Sequence, residues 1–192
     1  MKQVVFMLIT LASACTALYK CNHLRAEETP TADRGEERLE ISFHRGGIAS
    51  SQYAIWIEDA AGRLVRTLYA TSFTAKGGYE YRKDALPLWV SKAKPQTIPS
   101  AQVDAITGAT PRNGIITYQW DGTDDKGNRV PPGNYTFFLE GTLYWKSRVI
   151  YSGELVWGGK GQDSIPIKKR YFNQSKTNED MITELKACHI KK

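Results

Sequence analysis

Side chains that ligate metals or carry redox chemistry are scarce in this chain, which has three cysteines, three histidines and three methionines among 192 residues. Cys15 and Cys21 lie in or beside an apolar amino-terminal stretch, so a processed chain retains little beyond Cys188. A Cys21 to Cys188 bridge stays open only if Cys21 survives processing, and spacing alone does not decide it. There is no CxxC and no HExxH, and His23, His44 and His189 stand apart, which argues against a metal centre. The body of the chain has no basic run with interleaved aromatics, so it offers no nucleic-acid track. Lys168-Lys169-Arg170 and Lys191-Lys192 read as solvated surface. No nucleophile, base and orienting acid follow one another in a recognisable order, so a hydrolase has no support and no catalytic residue is assigned.

The residues present divide the chain into three parts. Residues 1 to 26 carry Lys2, an apolar run from Val4 to Leu18 and the small-residue pattern Ala12-Ser13-Ala14, and read as an export signal. The run is shorter than the ~20 residues of a spanning helix, so cleavage or retention as an N-terminal anchor both stay open. Cuts after Ala14 and after Ala26 fit equally. Cys15 follows the first as a lipidated cysteine would, although Ala12 stands where a larger aliphatic is expected. The net charge of +6 loses its weight once this leader is set aside: it takes three of the 26 basic groups and no acid, leaving 23 against 20. Residues 27 to 38 are charged, hold Thr, Pro and Gly, and lack an apolar period, which predicts a flexible spacer. Residues 39 to 192 form a single folded domain.

Strand signals dominate that domain. Leu39 to Phe43 alternates apolar and polar, and Tyr53 to Glu58 and Leu64 to Tyr69 flank Asp59-Ala60-Ala61-Gly62 as a hairpin. Ile115 to Trp120, Tyr135 to Glu140 and Val149 to Trp157 supply further strands. Between the first two of these, Asp121, Gly122, Asp124, Asp125 and Gly127 make paired turns; a calcium loop would require a closing bidentate glutamate that is absent. Ala70 to Gln102 is looser, with Leu86 to Val90 as one helical turn or an apolar lid and Ser91 to Ser100 as a long surface loop. Thr177 to Ile190 places Met181, Ile182, Leu185 and Cys188 on one helical face behind a Thr177/Asp180 capping pair. The expected fold is mainly β: an antiparallel β-sandwich with a short C-terminal helix packed on it.

The segment that carries a chemical proposal is Asp104-Ala105-Ile106-Thr107-Gly108-Ala109-Thr110. A threonine hydroxyl is a poor nucleophile and joins a phosphate only with a base, a metal and a close-fitting transferase. Gly108 and Ala109 leave room for such an enzyme, Pro111 biases Thr110 toward an extended conformation, and Asp104 offers oxygen ligands to a hard cation. The same composition suits an ordinary turn, so the residues alone leave attachment and a structural loop both open. The run resembles the flavinylation motif of the FMN-binding domain family of sodium-pumping and Rnf-type respiratory complexes. That resemblance implies FMN esterified to Thr110 by a flavin transferase. It departs after Thr110, where Pro111-Arg112-Asn113-Gly114 makes another turn in place of a Ser/Thr-rich helix start. Trp89, Tyr118 and Trp120 are candidate stacking partners for the ring, and Arg112 is a candidate partner for the phosphate, each with a plain structural role as its alternative.

Trp120-Asp121-Gly122-Thr123-Asp124 with Gly127, Pro132-Gly133 and Tyr135 resembles the closing hairpin of immunoglobulin-like modules. Together with the export signal, the Tyr53 to Leu68 hairpin and the Thr-Gly-Ala-Thr run, it is similar, over roughly residues 39 to 160, to the predicted periplasmic proteins of domain-of-unknown-function family 2271. That similarity implies association with flavin transferases and PepSY-type membrane reductases. The expectation is an extracytoplasmic electron carrier rather than an enzyme with its own substrate, touching a membrane only through an uncleaved or lipidated N-terminus. The alternative is a non-catalytic immunoglobulin-like binding or scaffolding module.

Overall fold

The computed structural model describes residues 37–46, 51–107, 113–143, 147–172 and 182–191. Among these residues, eight strands form two antiparallel sheets. β1 (Glu37–Arg45) is the middle strand of the smaller sheet, between β4 (Gly114–Trp120) and β8 (Ile182–Lys191). The larger sheet runs β3-β2-β5-β6-β7, from β3 (Leu64–Ala70) and β2 (Gln52–Asp59) through β5 (Gly133–Leu143) and β6 (Ser147–Trp157) to β7 (Lys168–Phe172). Alternating residues of both sheets meet in one core: Leu39, Ile41 and Phe43 of β1 face Ile55, Ile57, Phe137 and Leu139 of β2 and β5.

Local turn chemistry makes the hairpins. Asp59 Oδ1 accepts from the backbone N–H groups of Ala61 and Arg63, and Oδ2 accepts from the Arg63 guanidinium at 2.8 Å, closing the β2–β3 turn. The Asp121 to Asn128 loop works in the same way. Asp121 Oδ1 takes the N–H and hydroxyl of Thr123, while Asp124 takes the N–H groups of Lys126 and Asn128. Gly122 has φ +75°, and a Cβ there would overlap the Trp157 ring, so conformation and space both demand glycine.

β2 carries the continuous run Tyr-Ala-Ile-Trp-Ile and is buried on both faces, the mark of a strand with cover on each side. Its outer cover is a helical insert between β3 and β4, built from α1 (Ser72–Ala75), α2 (Pro87–Ala93) and α3 (Ser100–Thr107), with 3₁₀ turns at Gly78–Glu80 and Pro95–Thr97. Leu86, Trp89, Val103 and Ile106 of the insert close over Ala54 and Trp56. Two buried carboxylates of the sheet fasten α2. Glu140, fully buried, accepts from the backbone N–H of Trp89 at 2.8 Å and of Leu88 at 3.2 Å, with Arg148 beside it. Glu58 accepts from Lys92 Nζ at 2.9 Å and from the Trp56 indole at 2.8 Å.

Three expectations are corrected. The C-terminal segment is strand β8 rather than a helix: it pairs with β1 over Glu37↔Lys191 to Arg45↔Ile182. A bulge explains the misleading pattern. The register shifts by one residue between Ser42 and His44, with Glu184 at φ 53°, so Ile182 and Leu185, on opposite faces of a regular strand, both turn to the core and imitate helical spacing. Glu37 and Arg38, expected in the spacer, belong to β1, and residues 27 to 36 lie outside the described residues. Ser91 to Ser100 is no long loop, since it holds the end of α2 and the Pro95–Thr97 turn. Thr177 to Met181 lie outside the described residues.

Candidate functional site

α3 carries the first part of the Asp104 to Thr110 motif. Gln102 and Val103 donate their N–H groups to the Pro99 carbonyl, starting the helix, and Val103 and Ile106 bury its apolar side. Asp104 points outward with 65 % of its side chain exposed and meets Lys76 Nζ at 2.8 Å. Thr107 is buried, and its hydroxyl donates to the Asp104 carbonyl at 3.2 Å, closing the last turn. Gly108, Ala109, Thr110 and Arg112 lie outside the described residues. The chain is described again from Asn113, whose Oδ1 accepts from Arg45 at 3.4 Å, and Gly114 pairs with Arg45 as β4 begins. The motif therefore joins the helical insert of one sheet to the edge strand of the other.

The three aromatic candidates do not gather around Asp104. Trp89 is fully buried under α2, where its indole N–H donates to Thr67 Oγ1 at 3.3 Å. Trp120 is buried at the far end of β4, against Trp157 and Tyr135, with its N–H on the Thr123 carbonyl at 2.8 Å. Neither presents a ring face at the surface; both serve as core. Tyr118 is half-buried between Phe43 and Tyr69, with its hydroxyl 3.1 Å from that of Tyr53. Burial raises the titration of both hydroxyls well above the ordinary tyrosine range, so both stay protonated.

Two hollows open on the surface of the described residues. The larger, about 650 Å³, lies where the hairpin turns meet and is lined by Asp59, Asp124 and Asp125. Each of these carboxylates is already used: Asp59 and Asp124 in their own turns, and Asp125 on the Thr67 N–H at 3.1 Å. Burial raises the Asp125 carboxyl, while the Asn128 backbone N–H leads the contacts that hold Asp124 low. The smaller hollow, about 480 Å³, is a groove on the insert lined by Lys76, Tyr79, Gln96, Ser100, Val103 and Asp104. It has mixed walls and contains a residue of the motif.

Lys76, Tyr79 and Gln96 were not singled out in the sequence. They stand in the looser stretch, and only the packing of α1 and the Pro95–Thr97 turn against α3 makes them neighbours of Asp104. Glu58 and Glu140 left a faint signal: the apolar run of β2 requires an outer cover, and a cover requires fastening.

A family model described as "Predicted periplasmic protein (DUF2271)" matches residues 38–172. The chain belongs to this family. Its location is accordingly extracytoplasmic, in the periplasm. The match spans β1 to β7, the helical insert and the motif, and stops short of β8. No curated protein and no solved structure matches the chain. Among the described residues, no helix is long and apolar enough to cross a membrane.

Proposed function

We propose that this DUF2271 protein is a periplasmic electron carrier with FMN covalently attached through Thr110, on an immunoglobulin-like sandwich that acts as its rigid support. The observation that carries the reading is the motif itself, together with the setting of its described part. Asp104 stands exposed on the closing turn of α3, where a transferase and its divalent cation have access to the carboxylate. FMN fits a protein of the periplasm for a physical reason: a dissociating flavin is lost by dilution, whereas an esterified one stays.

When bound, the flavin supplies the redox chemistry. The chain's own residues do the rest. Asp104 orients the attachment segment from the end of a helix packed on Trp89, and Lys76 balances the charge of Asp104. Asn113, held by Arg45, fixes the point where the chain joins the sheet. The implied partners are a flavin transferase and a membrane reductase of the PepSY type or another electron donor. A second reading, a non-catalytic binding or scaffolding module, draws on the outer edge of β7, which has no strand beside it among the described residues.

Intact mass separates the two. Protein produced with a flavin transferase and FMN is expected to gain the mass of FMN less water, and Thr110→Ala to gain nothing. An unchanged mass in the unmutated protein overturns the flavin reading and leaves the binding module.

A further inference from the structure

We propose that the groove on the helical insert is the seat of the isoalloxazine ring, with Tyr79 against the ring face and Lys76 at its pyrimidine edge; this rests on the flavin reading above. At about 480 Å³ the groove falls within the ~300–1,000 Å³ usual for small-molecule sites. Its lining suits a flat, polar heterocycle. Ala75, Pro95 and Val103 give an apolar floor, Tyr79 an aromatic wall, and Gln96 and Ser100 hydrogen-bonding groups of both kinds. The Tyr79 hydroxyl donates to Gln96 Oε1 at 3.4 Å, so the rim is already bridged.

The groove lies within reach of the attachment point. Ser100, Val103 and Asp104 face it along one side of α3, and Thr107 continues that helical stripe at its end. Thr110 is three residues further on, and three residues of chain span at most about 10 Å. A ring tethered there by its ribityl phosphate reaches back along the groove.

Among the residues that line the groove, Lys76 is the cation, beside the carboxylates of Asp104 and Glu80. Its pair with Asp104 is exposed on both sides, with 53 % and 65 % of the two side chains open to water, and such pairs hold weakly. The ammonium is therefore free to exchange Asp104 for a flavin oxygen. A cation at that edge favours the anionic reduced ring and raises the flavin potential.

The test uses the full chain flavinylated by the transferase, with attachment confirmed by intact mass. Tyr79→Leu is expected to raise flavin fluorescence several-fold and to lower its anisotropy, and Lys76→Gln to lower the midpoint potential. Arg63→Gln, at the other hollow, is expected to alter neither. Lys76 is exposed, so its variant reports even if Tyr79→Leu disturbs the fold. Full flavin mass with fluorescence and potential unmoved by Tyr79→Leu and Lys76→Gln overturns the groove and leaves the flavin reading standing. Absence of flavin mass overturns both.

Discussion

Glu140 concentrates more of this fold's stability than any exposed charge. Its carboxylate holds two backbone N–H groups at the start of α2 and faces Arg148, all beneath the insert. Glu140→Ala strands those donors and takes the carboxylate from the part-buried Arg148, and the expected cost is roughly 3–5 kcal/mol, read as a fall in the urea midpoint. Glu140→Gln keeps one acceptor oxygen and is expected to cost about 1–3 kcal/mol. The pH dependence distinguishes charge from shape. Burial outweighs the Trp89 and Leu88 N–H groups and Arg148, and raises the Glu140 carboxyl above its ordinary 4.5. An acid raised in the folded state adds stability below its unfolded value and loses it as pH rises through the folded one. The native chain should therefore gain on Glu140→Gln between about pH 8 and about pH 5, in paired urea titrations at the two pH values. A constant difference would falsify this assignment.

Sheet edges are guarded in different ways. Along β3, Asp125 takes the Thr67 N–H and gives its own N–H to Val65, so a loop closes that edge. Along β8, Gln162 and Ile165 pair with His189 and Ala187. β7 has no strand on its outer edge among the described residues and carries charge there instead. Lys169 lies over Tyr171 at 4.4 Å, and Arg148 and Arg170 lie over Phe172 at 4.0 and 4.6 Å. Changing Lys168, Lys169 and Arg170 to threonine is expected to produce concentration-dependent self-association in light scattering, because charge is what keeps a bare edge from pairing. An unaltered monodisperse solution would refute it. Elements defined by nearby residues were the legible ones: Asp59 and Gly62 announce the β2–β3 hairpin, and Asp121, Gly122 and Asp124 the next turn. Elements that depend on distant partners were not. α2 has seven residues and owes its place to Glu140 and Glu58 on other strands, while β8 hides its alternation behind a bulge. The candidate site divides in the same way. Asp104 and Thr107 stand in a readable motif, whereas Lys76, Tyr79 and Gln96 join them only through packing.

At the scale of the molecule, support and chemistry are separated. The two sheets supply a shared core, and the proposed chemistry sits on an insert fastened to the outer face of one of them. That separation predicts that attachment variants leave the fold intact, while loss of β8 does not. A chain stopped before Ile182 leaves β1 without its partner on one side and uncovers Leu39 and Ile41. It is expected to lose its near-ultraviolet circular dichroism and cooperative unfolding; a truncated chain that melts like the full one would show that β8 is dispensable.

The pairing of β1 with β8 also sets an order of events. Secretion delivers a polypeptide amino end first, so the middle strand of the smaller sheet emerges early and waits, half dressed, for a neighbour that follows the whole of the larger sheet in the chain. Until Lys191 arrives beside Glu37, β1 is bare along one flank, the state in which an unpaired edge associates wrongly. Once β8 is in place, Glu37 and Lys191 lie side by side, so β1 is entered and β8 is left at the same end of the smaller sheet.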